Sequence, residues 1–228
     1  MAIAFVQLAE NFSTGSATSL AGDFGTTPVN GNLIVVASRV SATGRTVTVT
    51  DDGTNTYTQA RSQVQTTSAY ELFVHYAMNI TGVAAHTVTV AISGAAAGIT
   101  FTLHEYSGAA IQSALDQVNS GQLDTSTALD SGNVTINTSN QLIFGAGAAS
   151  GGRTFTLGTN FSNLASSPSA AGTQRQAGED RIVSTTGTYS ATFSLNTTAN
   201  WACIVATFRE AGWGQLIAGY RNRLLVRL

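Results

Sequence analysis

The chain has no lysine: its ten basic residues are all arginine, set against twelve acidic ones, and only 10% of the 228 positions are charged. A net charge of −2 with scattered arginines forms no basic stripe, which argues against a nucleic-acid surface. Gly, Ser, Thr and Ala dominate instead, so solubility rests on hydroxyl and amide groups rather than on ion pairs. Such surfaces suit extracellular or virion proteins. The single cysteine, Cys203 in the apolar run WACIVATF, excludes an internal disulfide and reads as a small buried hydrophobe. No apolar window approaches the ~20 residues of a membrane helix, and no membrane partner is expected. The start, MAIAFVQLAEN, lacks a positive n-region and carries an early Glu10, which makes it a poor secretory signal. Synthesis in the cytosol is expected, with any exterior location reached through assembly or lysis.

A convincing 3.6-residue apolar period is also missing before Gly212, and two-residue alternation takes its place. Val47 and Val49 alternate with Thr46, Thr48 and Thr50; Val88, Val90 and Ile92 share a face with Ile99, Phe101 and Leu103. Leu33 to Val40 is nearly continuous and predicts a strand covered on both sides, while Tyr70 to Met78 alternates loosely and predicts one buried face. The stretch from Asn32 to Ala109 recurs in weaker form from Asn140 to Ala211. Its anchor is Gly44-Arg45-Thr46-Val47-Thr48 against Gly152-Arg153-Thr154-Phe155-Thr156. Between the copies, Ala110 to Asp130 is polar and reads as a crossing connection; residues 162–180 are the most loop-like passage and a candidate site of partner contact. The expected fold is all-β: an antiparallel jelly-roll or double Greek-key sandwich of eight to twelve strands. It spans residues 1–211 as one domain of two pseudo-repeated halves, about 32–109 and 140–211, with residues 212–228 as a C-terminal extension. Paired immunoglobulin-like domains are disfavoured, because neither half has the Cys and Trp spacing.

Candidate chemistry is sparse. Asp51-Asp52-Gly53-Thr54-Asn55 has the composition of a calcium loop without its later bidentate Glu, so a hairpin turn is the preferred reading. His75, His86 and His104 lie on three strands that a closed sheet could bring together, although alternation turns His104 away from Ile99, Phe101 and Leu103. For a polysaccharide hydrolase the available strand carboxylates are Glu71 and Glu105, the latter on an apolar face. Glu210 in FREAG stands where Glu105 stands in the first copy, which favours a strand-end structural role for both. No phosphate loop, Gly-x-Ser-x-Gly or Cys/His pair is present, and no cofactor, metal or enzymatic activity is expected. Tyr57, Tyr70, Tyr106 and Trp201 are candidate stacking surfaces for a glycan, the basis of an alternative reading as a carbohydrate-binding or adhesive module.

The terminal stretch GWGQLIAGYRNRLLVRL carries three of the ten arginines and more large apolar side chains than a solvated end tolerates. As a helix, Trp213, Ile217, Tyr220, Leu224 and Leu228 share a stripe broken by Arg227; as a strand, Leu224, Val226 and Leu228 oppose Arg223, Leu225 and Arg227. Extended, the segment reaches on the order of 50 Å, far enough to add to a neighbour's sheet. Trp213, Leu216, Ile217, Tyr220, Arg223, Leu224, Val226 and Leu228 are therefore the candidate partner contacts, with a second copy of the chain as the first partner; folding back over the chain's own sandwich is the alternative.

The runs NLIVVASRV, VTVTDDGTNTYTQA, YELFVHYAMNITGVAAHTVTVAIS and ITFTLHEYSGA resemble a broad group of poorly characterised bacterial and phage β-sandwich proteins, over about residues 30–211. The resemblance implies a surface or virion structural module and supplies no catalytic residues. The expectation it leaves is a non-enzymatic phage virion protein, capsid-decorating or tail-associated, contacting itself and other virion proteins.

Overall fold

The computed structural model describes residues 2–168 and 174–212. Among them there is no helix. Sixteen strands follow in order: β1 Ala4–Phe12, β2 Ser19–Asp23, β3 Leu33–Val40, β4 Val47–Asp51, β5 Thr58–Gln65, β6 Tyr70–Ala77, β7 Thr87–Ile92 and β8 Ile99–Ser107; then β9 Leu115–Asp130, β10 Val134–Ile136, β11 Gln141–Ser150, β12 Phe155–Thr156, β13 Ser162–Pro168, β14 Gln174–Val183, β15 Gly187–Tyr189 and β16 Thr192–Arg209. That exceeds the expected eight to twelve, because polar segments that lack an apolar pattern also pair.

All the pairings are antiparallel. In the first large sheet β3 lies between β8 and β6, with β1 outside β8 and β5 outside β6. In the second, β11 lies between β16 and β14, with β9 outside β16 and β13 outside β14. A small sheet, β2-β7-β4, covers the outer face of the first. On the outer side of the second, the long strands β9 and β16 bend. Their pairing shifts register between Ser194 and Ala199, and the ends beyond the bend fold over with β12 and the β10–β15 ribbon.

Three apolar layers result, a β-sandwich extended to four sheets of side chains and backbone. Ile34, Val36, Phe73, Ile99, Phe101 and Leu103 meet Val47, Val49, Val88 and Val90 of the small sheet. Leu33, Val35, Leu72, Val74 and Tyr106 meet Leu142, Phe144, Ile204 and Phe208 between the large sheets. Ile143, Cys203 and Val205 meet Phe155, Phe193, Leu129 and Val134 beyond the second. Strands β3, β6, β8 and β11 thus bury both faces. This explains the continuous run Leu33–Val40 and corrects the single buried face expected of Tyr70–Met78: Glu71, Phe73 and His75 turn into the outer core instead of solvent.

Two further expectations change. Ala110 to Asp130 is no free crossing, since β9 forms an edge ladder along β16; its outer edge keeps solvent, so main-chain pairing accommodates a polar sequence. Residues 162–180, expected as a loop, supply β13 and most of β14, and only 169–173 lie outside the described residues. Polarity misled here because Gln176, Glu179 and Asp180 are buried polar groups.

Gly147 marks a close approach of the outer core to β11: a Cβ there would stand 3.0 Å from both Phe155 and Phe193. Gly147→Val is expected to destabilise by about 1–3 kcal/mol through overpacking, read as a lower urea midpoint at unchanged m-value. The same substitution at Gly44, whose Cβ would meet nothing, tests backbone strain alone because its φ is +67°.

Candidate functional site

The candidate contact residues Trp213, Leu216, Ile217, Tyr220, Arg223, Leu224, Val226 and Leu228 lie outside the described residues. Their point of departure is well defined. Ala211 N–H donates to Gly108 O at 2.8 Å, Glu210 N–H to Asn140 O at 3.1 Å, and Ala110 N–H to Arg209 O at 2.9 Å. Arg209 pairs with Asp116 and also donates to Ser113 O and Leu115 O. Both large sheets therefore hold the last strand's end, and Gly212 leaves from a shallow depression lined by Thr138, Asn140, Arg209 and Glu210.

The buried acids are occupied by the fold. Glu105 is fully buried on β8. Its Oε1 accepts from Val29 N–H at 2.7 Å and Asn32 Nδ2 at 2.6 Å, and its Oε2 accepts from Gln7 Nε2 at 2.6 Å. Glu105 thus pins the 24–32 loop to the first large sheet. Glu210 is not its counterpart: Glu105 lies within a strand opposite Ile34, whereas Glu210 follows the end of β16 and bridges to Ala109. Nor do Glu71 and Glu105 face one another. They stand in rows with Val40 and Ile34, six positions apart on β3, or roughly 20 Å along the strand, against the ~5–10 Å a glycosidase pair requires.

The Asp51–Asn55 turn is closed by its own hydrogen bonds. Asp51 Oδ1 accepts from Asn55 N–H, and Oδ2 from Asn55 Nδ2 and Tyr57 Oη, all at 2.9 Å. His86 Nδ1 faces Val83 N–H at 3.4 Å, which places the ring proton on Nε2, 3.0 Å from Asp51 Oδ2. Four donors fill the carboxylate, so this is the hairpin turn rather than a cation loop. Burial, then the charge of Asp51, drives the Tyr57 hydroxyl pKa upward.

The three histidines do not converge. His75 enters the outer core and stacks on Phe73, His104 faces the layer between the large sheets, and His86 sits at the Asp51 turn. Desolvation lowers His75 to about 4 and His104 to about 3, so both are neutral at physiological pH. Among the described residues no three His, Cys, Asp or Glu side chains are placed to hold a metal.

One polar cluster escaped sequence reasoning. Tyr106 Oη donates to Asp180 Oδ2 at 2.8 Å, and Asn163 Nδ2 lies 3.0 Å from both Asp180 oxygens. His104 Nδ1 stands 3.4 Å from Tyr106 Oη, while its Nε2 abuts Gly178, where a Cβ would come within 2.5 Å. Gln176 Nε2 donates to Thr102 Oγ1 at 3.1 Å. Burial raises Asp180, partly offset by its Tyr106 and Asn163 bonds. Behind it, on the opposite face of β14, burial raises Glu179 to about 8 despite donation from Gly158 N–H at 2.8 Å. The cluster lies between the sheets and fixes how β13 and β14 cross β8. Its only signal in sequence was the density of hydrogen-bonding residues in 174–180.

The proposed stacking aromatics are turned inward: Tyr70 and Tyr106 are fully buried, Trp201 is 4% exposed, and Tyr57 is held by Asp51. Comparison with family models, with curated proteins and with solved structures found no match.

Proposed function

We propose that the chain is a non-enzymatic structural subunit of a phage virion, capsid-decorating or tail-associated, that assembles into an oligomer through residues 212–228. The observation that carries this reading is the contrast between a body whose buried acids and strand aromatics are engaged internally and a large-apolar segment beginning at Gly212. The scaffold is read as two pseudo-repeated jelly-roll halves. Support comes from the corresponding pairings: β3 between β8 and β6, β11 between β16 and β14, with β4 and β12 following each central strand. The Gly-Arg-Thr anchor precedes β4 in one half and β12 in the other.

Assembly through the segment is the natural use of its apolar residues, since an exposed apolar stretch must find a mate. Addition as a strand to a neighbour's edge supplies main-chain hydrogen bonds as well as side-chain pockets. Nothing in the side-chain arrangement favours the glycan-binding alternative, because each aromatic named for it is engaged in the fold. The test is replacement of Ile217, Tyr220 and Leu224 together by serine. The triple variant is expected to keep the wild-type melting temperature and to sediment as a monomer; retention of the wild-type assembly contradicts the proposal.

A further inference from the structure

Arg39 presents a problem of charge. It lies on β3 and continues the face of Leu33, Val35 and Ala37, so its side chain enters the layer between the two large sheets, and it is only 4% exposed. All twelve Asp and Glu residues of the sequence fall within the described residues, and none forms an ion pair with it. Residues 169–173, Ser-Ala-Ala-Gly-Thr, carry no acidic side chain that could serve. What Arg39 has is the Tyr70 ring, 4.0 Å from its Cζ, and the Ser41 Oγ, which accepts from Nη1 at 2.9 Å. Tyr70 is itself fixed across the layer, donating to Ala148 O at 2.9 Å.

The remaining polar atoms at this end of the layer are also incomplete. Arg39 Nε has no partner. Thr100, its direct cross-strand neighbour on β8, is 1% exposed with an unpartnered Oγ1. Gln176, buried on β14 and bonded to Thr102, leaves its Oε1 unpartnered. Directly opposed residues on an antiparallel pair hold their Cβ atoms about 5 Å apart, so one small ligand can reach both Nε–H and the Thr100 hydroxyl. A guanidinium's Nε and its adjacent Nη form the planar fork that matches two oxygens of a carboxylate or phosphate. The Tyr70 ring contact leaves the Nε–H without a partner.

We propose that Arg39, with Thr100, forms a binding site for a small oxyanion at this end of the inter-sheet layer. The anion supplies the counter-charge that no side chain provides and joins β3 to β8 beside the crossing of β14. The inference is independent of the assembly reading, because it concerns residues that are all described and lie away from Gly212.

The test is thermal melting of the full chain in inorganic phosphate, and separately in acetate, at constant ionic strength. A ligand that binds only the folded state raises the melting temperature progressively once its concentration exceeds Kd. Phosphate also stabilises proteins generally by surface exclusion, so the quantity that decides is the difference between variants. Wild type is expected to show the larger rise, in phosphate or in acetate according to which oxyanion fits. Arg39→Lys, which keeps the charge and loses the fork, is expected to weaken the apparent affinity about tenfold or more. Thr100→Val, a near-isosteric change, is expected to weaken it several-fold. Arg61→Gln, at an exposed arginine bonded to Ser120, is expected to respond as wild type. Equal rises in wild type, Arg39→Lys and Thr100→Val, or no rise in wild type up to about 50 mM of either anion, overturn the proposal.

Discussion

Glu105→Ala is expected to destabilise the protein by about 3–5 kcal/mol, among the largest effects available from one side chain. The carboxylate receives Gln7, Val29 N–H and Asn32 in a site without solvent access. Its removal strands three donors and leaves a cavity, and buried donors without acceptors cost more than their bonds were worth. Glu105→Gln separates charge from shape. The amide oxygen still accepts from Val29 and Asn32, but its nitrogen then faces the Gln7 amide nitrogen, donor against donor. A smaller loss of about 1–3 kcal/mol is expected, with the 24–32 loop exchanging its amide hydrogens faster than wild type. Urea midpoints unchanged in both variants would show that the loop is held by something else.

The second large effect is a fall in stability between pH 6.5 and 8. Glu179 has an ordinary unfolded pKa near 4.5 and a folded value of about 8, so between them the folded chain keeps a proton that the unfolded chain has lost. Stability then declines as pH rises, by at most about 1.4 kcal/mol per unit from this group. Asp180, also raised, acts in the same direction. His75 and His104 act oppositely: below 6.5 the unfolded chain binds protons that the neutral buried rings refuse, so stability is lost as pH falls toward 4 and 3. In acid the two pairs oppose each other. Above 6.5 the histidines no longer contribute, which leaves the acids' declining limb exposed. Over that interval a loss of up to about 2 kcal/mol from Glu179 is expected, and Glu179→Gln, the isostere of the protonated acid, is expected to remove it. A wild-type urea midpoint that is flat or rising from pH 6.5 to 8 contradicts this account.

The same residues explain what could and could not be foreseen. Alternation at Val47–Val49, at Val88–Ile92 and at Ile99–Leu103 placed those side chains on their observed faces, because one side of each pattern is apolar and the other is not. The run Leu33–Val40 announced a strand covered twice. At Gly145 and Gly147 the neighbours stand close, Ala191 and Glu179 at the one and Phe155 and Phe193 at the other. β14 defeated the same logic: Gln176, Glu179 and Asp180 look solvated in sequence, yet each is buried because Thr102, Gly158 and Tyr106 supply partners from distant segments. Hydropathy carries no record of such partners. β9 was missed for a related reason, since an edge strand is specified by the β16 backbone it pairs with more than by its own side chains. Glu105 was singled out correctly as an acid on an apolar face, but its equivalence with Glu210 rested on letters rather than on register. Arg39 gave no signal, because its isolation appears only once every acid has been assigned a place.

The central claim is that residues 1–211 are a self-sufficient scaffold and that the segment from Gly212 onward makes the assembly. Its most direct measurement is the mass in solution, by light scattering or sedimentation, of the full chain and of the chain ended at Ala211. The account predicts an oligomer for the first and a folded monomer, with wild-type cooperative unfolding, for the second. A full chain that is already monomeric, or a truncated chain that retains the oligomer, contradicts it.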